Sequence, residues 1–167
     1  MISVRMLTSA DAAMWKEFRL YALRTSPLSF ASTYEEEVTK DDEYWKKSCQ
    51  TADIFGAFIA SRIIGVVGFY VCEQERMKHK GRFFGMYVHP DYRGKGIAGT
   101  LLRAVIEHAK TRVIQLQCSV MVVNQSAVAL YKKHGFVSWG IEPRALCIDG
   151  FYRDDHHMVL KLDSDKN

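Results

Sequence analysis

The chain has 167 residues, of which 48% are hydrophobic and 25% charged, with a formal net charge of +4 at pH 7. That length fits a single domain over residues 1–167 with a sizeable core, and the balance excludes a disordered chain. The modest positive charge suits an anionic ligand and does not by itself argue for nucleic acid.

No apolar run approaches the roughly 20 residues that span a bilayer, so no membrane association is expected. Arg5 and Asp11 interrupt the opening MISVRMLTSAD, which offers no signal-peptide core. A cytoplasmic protein is therefore expected. Cys49, Cys72, Cys118 and Cys147 are scattered, without a C-x-x-C pair. Free thiols, rather than a disulfide framework or a metal site, are the expectation.

In chain order, ISVRML reads as a strand. Thr8 with Asp11 resembles a capping box and opens a helix through Arg24 with Met14, Phe18, Tyr21 and Ala22 on one face. Pro27 ends it, and a more polar helical region follows from Ala31 to about Cys49. IFGAFIA and IIGVVGFYV read as an antiparallel hairpin turning near Ser61 and Arg62. The basic ERMKHKGR leads into a strand from Phe83 to Val88, stopped by His89 and Pro90.

DYRGKG then turns the chain into a helix from Ile97 to Lys110. Ile97, Leu101, Leu102, Val105, Ile106 and Ala109 recur there at helical spacing, so one face is buried. In the next strand Ile114, Leu116, Cys118, Val120 and Val122 alternate onto one face. A helix from Gln125 to about His134 closes at Gly135, and strands near Phe136–Ile141 and His156–Leu162 finish the chain. The fold class is α+β: a mixed, mostly antiparallel sheet of six to seven strands with about four flanking helices. The central strand–turn–helix–strand unit requires a parallel crossover.

The sharpest local signal is FFGMYVHPDYRGKGIAGTLL. A strand ends, Gly94 and Gly96 allow a tight turn, and a helix starts at once. Amide N–H groups at a helix N-terminus attract anions, and Arg93 and Lys95 add positive charge. The turn reads either as a pyrophosphate cradle or simply as a tight turn with two solvated cations. It is neither a Walker loop nor a clean dinucleotide fingerprint.

Arg93-Gly94-Lys95-Gly96-Ile97-Ala98 resembles the [R/Q]-x-x-G-x-[G/A] signature of the GNAT superfamily of acetyl-CoA-dependent N-acetyltransferases. Met86-Tyr87-Val88-His89-Pro90 resembles the strand before that signature. Asn124 to Ala127, Leu130-Tyr131 and Gly135-Phe136 resemble its N-x-x-A-x-x-L-Y-x-x-x-G-F segment. The pieces keep the family's order over essentially the whole chain.

The resemblance implies an acyltransferase that takes acetyl-CoA as co-substrate and acetylates an amine by direct attack in a ternary complex. Main-chain groups of Met86, Tyr87 and Val88 would hold the pantetheine arm and the acetyl carbonyl, with the Val88 amide as oxyanion donor. The amides of Arg93, Gly94, Lys95, Gly96, Ile97, Ala98 and Gly99 would hold the pyrophosphate. Asn124 is a helix N-cap, a pantetheine contact, or both. Lys133 is an exposed helix charge or reaches the phosphates. Tyr131 would protonate the leaving thiolate as general acid, or else packs beside Leu130. Phe30, Tyr34 and Glu35 lie where the family builds its acceptor pocket.

Lys80 to Val88 carries no carboxylate to act as base, and the nearest, Glu73 and Glu75, sit in a polar stretch. Asp154-Asp155-His156-His157 offers metal-ligand types, but neighbouring strand residues point to opposite faces, so no metal is expected. A histidine there could line the acceptor site instead. Lys80 to Val88 also resembles the basic, aromatic RNP1 strand of an RNA-binding module, yet Arg82 stands where an aromatic residue belongs. No nucleic-acid partner is therefore expected. A non-catalytic acetyl-CoA sensor is a further alternative. The last strands could pair across a homodimer.

Overall fold

The computed structural model describes residues 1–163. Seven strands share one sheet: β1 (Ile2–Met6), β2 (Asp53–Ile59), β3 (Arg62–Val71), β4 (Lys80–Val88), β5 (Gln115–Met121), β6 (Val137–Ile148) and β7 (Phe151–Lys161). Their order is β1-β2-β3-β4-β5-β7-β6. Five α-helices intervene: α1 (Ala12–Thr25), α2 (Tyr34–Val38), α3 (Asp42–Thr51), α4 (Ile97–Lys110) and α5 (Gln125–Lys133). β4 and β5 run parallel through Lys80–Arg82 and Gln115–Gln117, as a β4–α4–β5 crossover requires. The β1–β2, β2–β3, β5–β7 and β6–β7 pairs are antiparallel. The α+β class and the mixed sheet agree with the sequence reading.

By internal packing the chain forms two units. The first holds Met1–Tyr70 and Gly85–Glu107; the second holds Val71–Phe84 and the described residues from His108 on. In the first unit α1 buries Trp15, Phe18, Ala22 and Leu23 against Trp45, Ile54, Phe58, Ile63 and Val66. The sequence placed Phe18 and Ala22 on this face but missed Trp15 and Leu23. The Asp11 carboxylate accepts from the Thr8 N–H at 2.8 Å, and Arg5 donates to both of its oxygens at 2.8 Å each. The Arg5 guanidinium and the Thr8 donors hold the Asp11 carboxyl well below the usual carboxylate range.

The single polar helix expected over 31–49 is in fact two. Thr33 and Glu36 form a reciprocal capping box at α2, and Asp41 Oδ1 accepts the Tyr44 N–H at 2.8 Å to open α3. Two strong N-caps so close together restart the helix instead of extending it. α4 follows its periodicity, and an added Cβ at Gly65 of β3 would lie 3.1 Å from Leu101. That close approach explains the glycine.

In the second unit Leu116, Cys118 and Val120 are buried as their alternation requires. Ile114 lies before β5 and is 49% exposed, and Val122 lies beyond it, so the alternation fails at both ends. The largest departure concerns β6 and β7, expected as short strands. They continue to a two-residue turn at Asp149-Gly150, with φ 51° and 80°. Consecutive left-handed residues are what a type I′ hairpin turn demands, and Asp-Gly supplies them cheaply. Register shifts between Glu142 and Leu146, where Arg144 has φ 53°, and Pro143 sits in that irregular stretch of a sheet-edge strand.

Candidate active site

The main chain of β4 changes phase in its middle. The Cys72 N–H donates to Lys80 O at 2.9 Å, so residue 80 faces β3. The His89 N–H donates to Ile64 O at 2.9 Å, so residue 89 also faces β3. In an unbroken strand every second residue faces the same neighbour, and these two stand an odd number apart. One residue must be out of step. Gly85, at φ 61°, is the one β4 residue in the left-handed region. Beyond it, Tyr87 faces β3, consistent with its carbonyl lying 3.2 Å from an added Cβ at Gly65. Met86 and Val88 therefore turn their main-chain groups away from β3.

The Arg93 guanidinium braces this end of β4. Its Nε donates to Val88 O at 3.0 Å, and the group lies 5.3 Å from the Tyr87 ring centroid. The Arg93 N–H donates to Pro90 O at 3.1 Å. Its side chain and amide are thus both engaged within the turn. The Tyr87 hydroxyl hydrogen-bonds with Thr25 and Ser26, at 3.1 and 3.2 Å. Phe18 and Phe30 pack at its ring, with centroids 5.8 and 5.6 Å away. His89 stacks on Tyr21 at 4.9 Å and caps the next short turn by accepting the Asp91 N–H.

Gly94 and Gly96 have φ of 74° and 77°, which side chains rarely adopt. Nothing lies within 4 Å of a Cβ built on either. The turn is therefore open on its outer side, as a site for a bulky anion must be. Lys95 reaches back to Asp91 O at 3.1 Å. The first-turn amides of α4, from Ile97 to Gly99, have no i−4 partner within their own helix.

The second unit holds Asn124 and Tyr131. Asn124 Oδ1 accepts from the Ala127 N–H at 3.3 Å and from the Ser126 hydroxyl at 3.2 Å, so the N-cap role is realised. Tyr131 is 6% exposed, with its ring edge-on to Phe83 at 5.0 Å and near Phe136. Burial, with Cys118 beside it, lifts the phenol above its ordinary range. Burial likewise pushes the Cys118 thiol up to about 12. At neutral pH Tyr131 is a proton donor only. Lys133 is exposed.

Among the acceptor candidates, Phe30 is a core residue, 7% exposed. Tyr34 is half-buried with Arg24 over its ring, and Glu35 is exposed. The carboxylate that joins this region is Glu37, which sequence reasoning missed. It pairs with Arg19 at 2.7 and 3.0 Å, and Arg19 lies over the Phe30 ring. It was hidden in a run of three consecutive like charges, of which α2 buries only this one. Glu75 pairs with Lys78, and Glu73 is exposed.

The Asp154–His157 stretch of β7 diverges as alternation requires. Asp154 accepts the Arg144 N–H at 2.8 Å, and His156 hydrogen-bonds with Ser138 at 3.1 Å. His157 lies between Ser119 and Glu142, while one Asp155 oxygen is buried without a hydrogen-bond partner. Burial raises the Asp155 carboxyl, with His157 opposing. Among the described residues, no group of three or more His, Cys, Asp or Glu gathers as a metal site would. Nor is any described helix long and apolar enough to cross a membrane.

Comparison with known proteins matches residues 15–136 to the model of the "Acetyltransferase (GNAT) family". The probable N-acetyltransferase YjcK of Bacillus subtilis is 29% identical over 133 residues, 77% of this chain and 66% of that protein. The L-amino acid N-acetyltransferase AaaT of Escherichia coli is 30% identical over 105 residues, 62% of this chain and 64% of that protein. The chain thus spans just under two thirds of the length of these curated relatives. The solved structure of yncA from Salmonella typhimurium, with its cofactor acetyl-CoA, superposes with a TM-score of 0.84 at 20% identity. That likeness covers 100% of this chain and 97% of the other and concerns the fold. A family match across the bulged strand, the glycine turn and α5 replaces the RNA-binding alternative: this chain belongs to the acetyltransferase (GNAT) family.

Proposed function

We propose that this protein transfers the acetyl group of acetyl-CoA to an amine by direct attack in a ternary complex, as a single catalytic domain. The observation that carries the reading is the phase change at Gly85. It turns the main chain of Met86 and Val88 outward immediately ahead of an open glycine turn. Acetyl-CoA supplies the activated thioester. The Val88 N–H donates to the acetyl oxygen as negative charge develops there, a contribution of about 3 kcal/mol for one preorganised donor. Met86 and Tyr87 align the pantetheine arm alongside.

The amides from Gly94 through Gly99 hold the pyrophosphate, with Lys95 adding charge and the helix dipole of α4 behind them. Arg93 serves by bracing Val88, since its own N–H is turned to Pro90. Asn124 contacts the pantetheine with whatever donor capacity its capping role leaves. Tyr131, kept protonated by burial, gives its proton to the departing thiolate. Phe30, Tyr34 and Glu35 belong to the acceptor side, where Glu35 is the solvent-facing member.

The acceptor is an amine. AaaT is named for L-amino acids, so amino acids stand beside polyamines, antibiotics and protein N-termini in the screen. Scattered free cysteines support a cytoplasmic setting. Exposed Val137, Trp139, Ile141, Phe151 and Tyr152 on the last hairpin support a homodimer, which light scattering tests directly. The decisive assay is thiol release from acetyl-CoA across those amine classes, beside a thermal-shift titration with acetyl-CoA. Stabilisation with amine-dependent release is the expected result. Stabilisation without release from any amine would replace the acetyl-transfer reading with a sensor, and the absence of both stabilisation and release would overturn acetyl-CoA binding as well.

A further inference from the structure

We propose that Ser119, His157 and Glu142 form the proton relay that deprotonates the acceptor amine, a role that rests on the acetyl-transfer reading above. The three come from three strands of the second unit and meet through register alone. Ser119 on β5 is the direct partner of His157 on β7, and Glu142 on β6 is the partner of Asp155. Asp155 and His157 are two residues apart on one strand, so all of these side chains share a sheet face. On that face Ser119 Oγ lies 3.1 Å from His157 Nδ1, and His157 Nε2 lies 2.9 Å from Glu142 Oε2. Arg82 on β4 donates to Ser119 Oγ at 2.8 Å.

Hydrogen-bond capacity fixes the direction of the chain. An ionised Glu142 only accepts, so neutral His157 carries its hydrogen on Nε2. Nδ1 then presents a lone pair toward Ser119. Arg82 only donates, so the serine hydrogen is not drawn there and points to Nδ1. One lone pair of Ser119 Oγ remains for the amine. In the step, the acceptor's ammonium passes one N–H proton to Ser119 Oγ while the serine proton passes to His157 Nδ1, and Glu142 balances the resulting imidazolium. The freed nitrogen lone pair bonds to the acetyl carbon, the carbon–sulfur bond breaks, the thiolate leaves with the Tyr131 proton, and the second N–H proton returns to Tyr131 through solvent. No other reactant is needed.

The placement suits an acceptor. Ser119 is exposed, whereas His157 is half-buried beneath Trp139, whose ring centroid is 5.2 Å away. The charged groups facing His157 are Glu142 and Asp155, with Arg82 acting through Ser119; Asp154 points to the other face. The next residue of β5 toward the N-terminus, Cys118, is buried on the opposite face beside Tyr131. Tyr131, on α5 beside Cys118, and Ser119 therefore lie against opposite faces of β5. They serve opposite ends of the transfer, the leaving thiolate and the arriving amine, and cannot neutralise each other.

The test is the pH–rate profile of kcat/KM, with the amine giving most turnover in the screen, for the full chain and three variants. Ser119→Ala and His157→Gln are expected to lower kcat/KM at neutral pH by about 10²–10³-fold. The deficit should narrow at alkaline pH as free amine accumulates, and the acidic limb should flatten. Glu142→Gln, a positioning change, should lower the rate less and move that limb to lower pH. Stabilisation by acetyl-CoA should stay at the wild-type value in all three, which also shows that they are folded. Ring-nitrogen NMR of the wild type should show His157 protonated at Nε2. Variants that turn over the amine with an unaltered acidic limb, or a His157 protonated at Nδ1, overturn the relay alone. Wild-type protein that releases no thiol with any amine overturns the acetyl-transfer reading, and the relay's role with it.

Discussion

The glycine turn of the first unit and the polar face of the second are built by different means. The turn is contiguous: the proposed amides run from Gly94 to Gly99 in one stretch of chain, and two left-handed glycines set the shape. The polar face is assembled: Arg82, Ser119, Glu142 and His157 lie far apart in sequence and meet because β4, β5, β7 and β6 align in one register. Local backbone geometry is written in adjacent letters, so a reader of the sequence can find it. A register is decided by the whole sheet, and a one-residue slip would send His157 to the other face.

Two substitutions test that contrast where effects are largest. Tyr131→Phe deletes one hydroxyl and keeps the ring against Phe83 and Phe136. The loss should appear in kcat and kcat/KM together, by about 10²–10⁴-fold when chemistry limits the rate, with acetyl-CoA stabilisation unchanged. Because burial raises the phenol, the alkaline limb it causes belongs above the usual tyrosine value of about 10. Full turnover in the variant would leave Tyr131 as a packing residue.

Gly96→Glu attacks the contiguous site instead. It forces a left-handed φ of 77° on a side chain and adds negative charge beside the anion. The thermal shift with acetyl-CoA should vanish, equivalent to at least a hundredfold weaker binding. Equal shifts in variant and wild type would show that the turn holds no phosphate.

The same contrast runs through the fold. α4 ends where periodicity ends it, and the Gln125–Lys133 helix closes at Gly135 as read. The Gly85 bulge was invisible, because a glycine within a strand pattern does not announce its φ. The β6–β7 hairpin was legible but unread: Asp149-Gly150 is a strong turn signal. Bulges at Ser138/Gly140 and Glu142/Leu146 break the alternation on which strand reading depends. Glu37 was hidden for another reason. Three consecutive glutamates look alike in sequence, and only the partner distinguishes them.

That last point predicts a stability difference. Glu37→Gln leaves the half-buried Arg19 without its charge partner and should cost about 2 kcal/mol, read as a lower denaturation midpoint. Glu35→Gln, at an exposed position, should leave stability within about 0.5 kcal/mol. As an acceptor-side residue it should alter the apparent KM for the amine without changing acetyl-CoA stabilisation. An unchanged KM for a genuine acceptor removes Glu35 from the site. Equal destabilisation by the two changes would mean that Arg19 finds another partner.

The smallest effect belongs to a purely local motif. Asp11→Asn should cost about 1 kcal/mol at neutral pH, the range of a lost helix cap. The carboxylate receives the Thr8 N–H and hydroxyl and both Arg5 donors, which hold its folded-state pKa well below normal. Arg5 is half exposed, so solvent screening discounts the ionic share. The sign follows from linkage. A carboxyl that ionises more readily when folded stabilises the fold fully above its unfolded pKa of about 3.9, and that stabilisation fades as pH falls below it. Wild type and variant should therefore differ most at pH 7, and the gap should shrink progressively as pH falls below about 4, closing only as the folded-state carboxyl itself becomes protonated. A gap that does not shrink at all with acid would mean that the Asp11 charge contributes nothing, and that shape and hydrogen bonding alone make the cap.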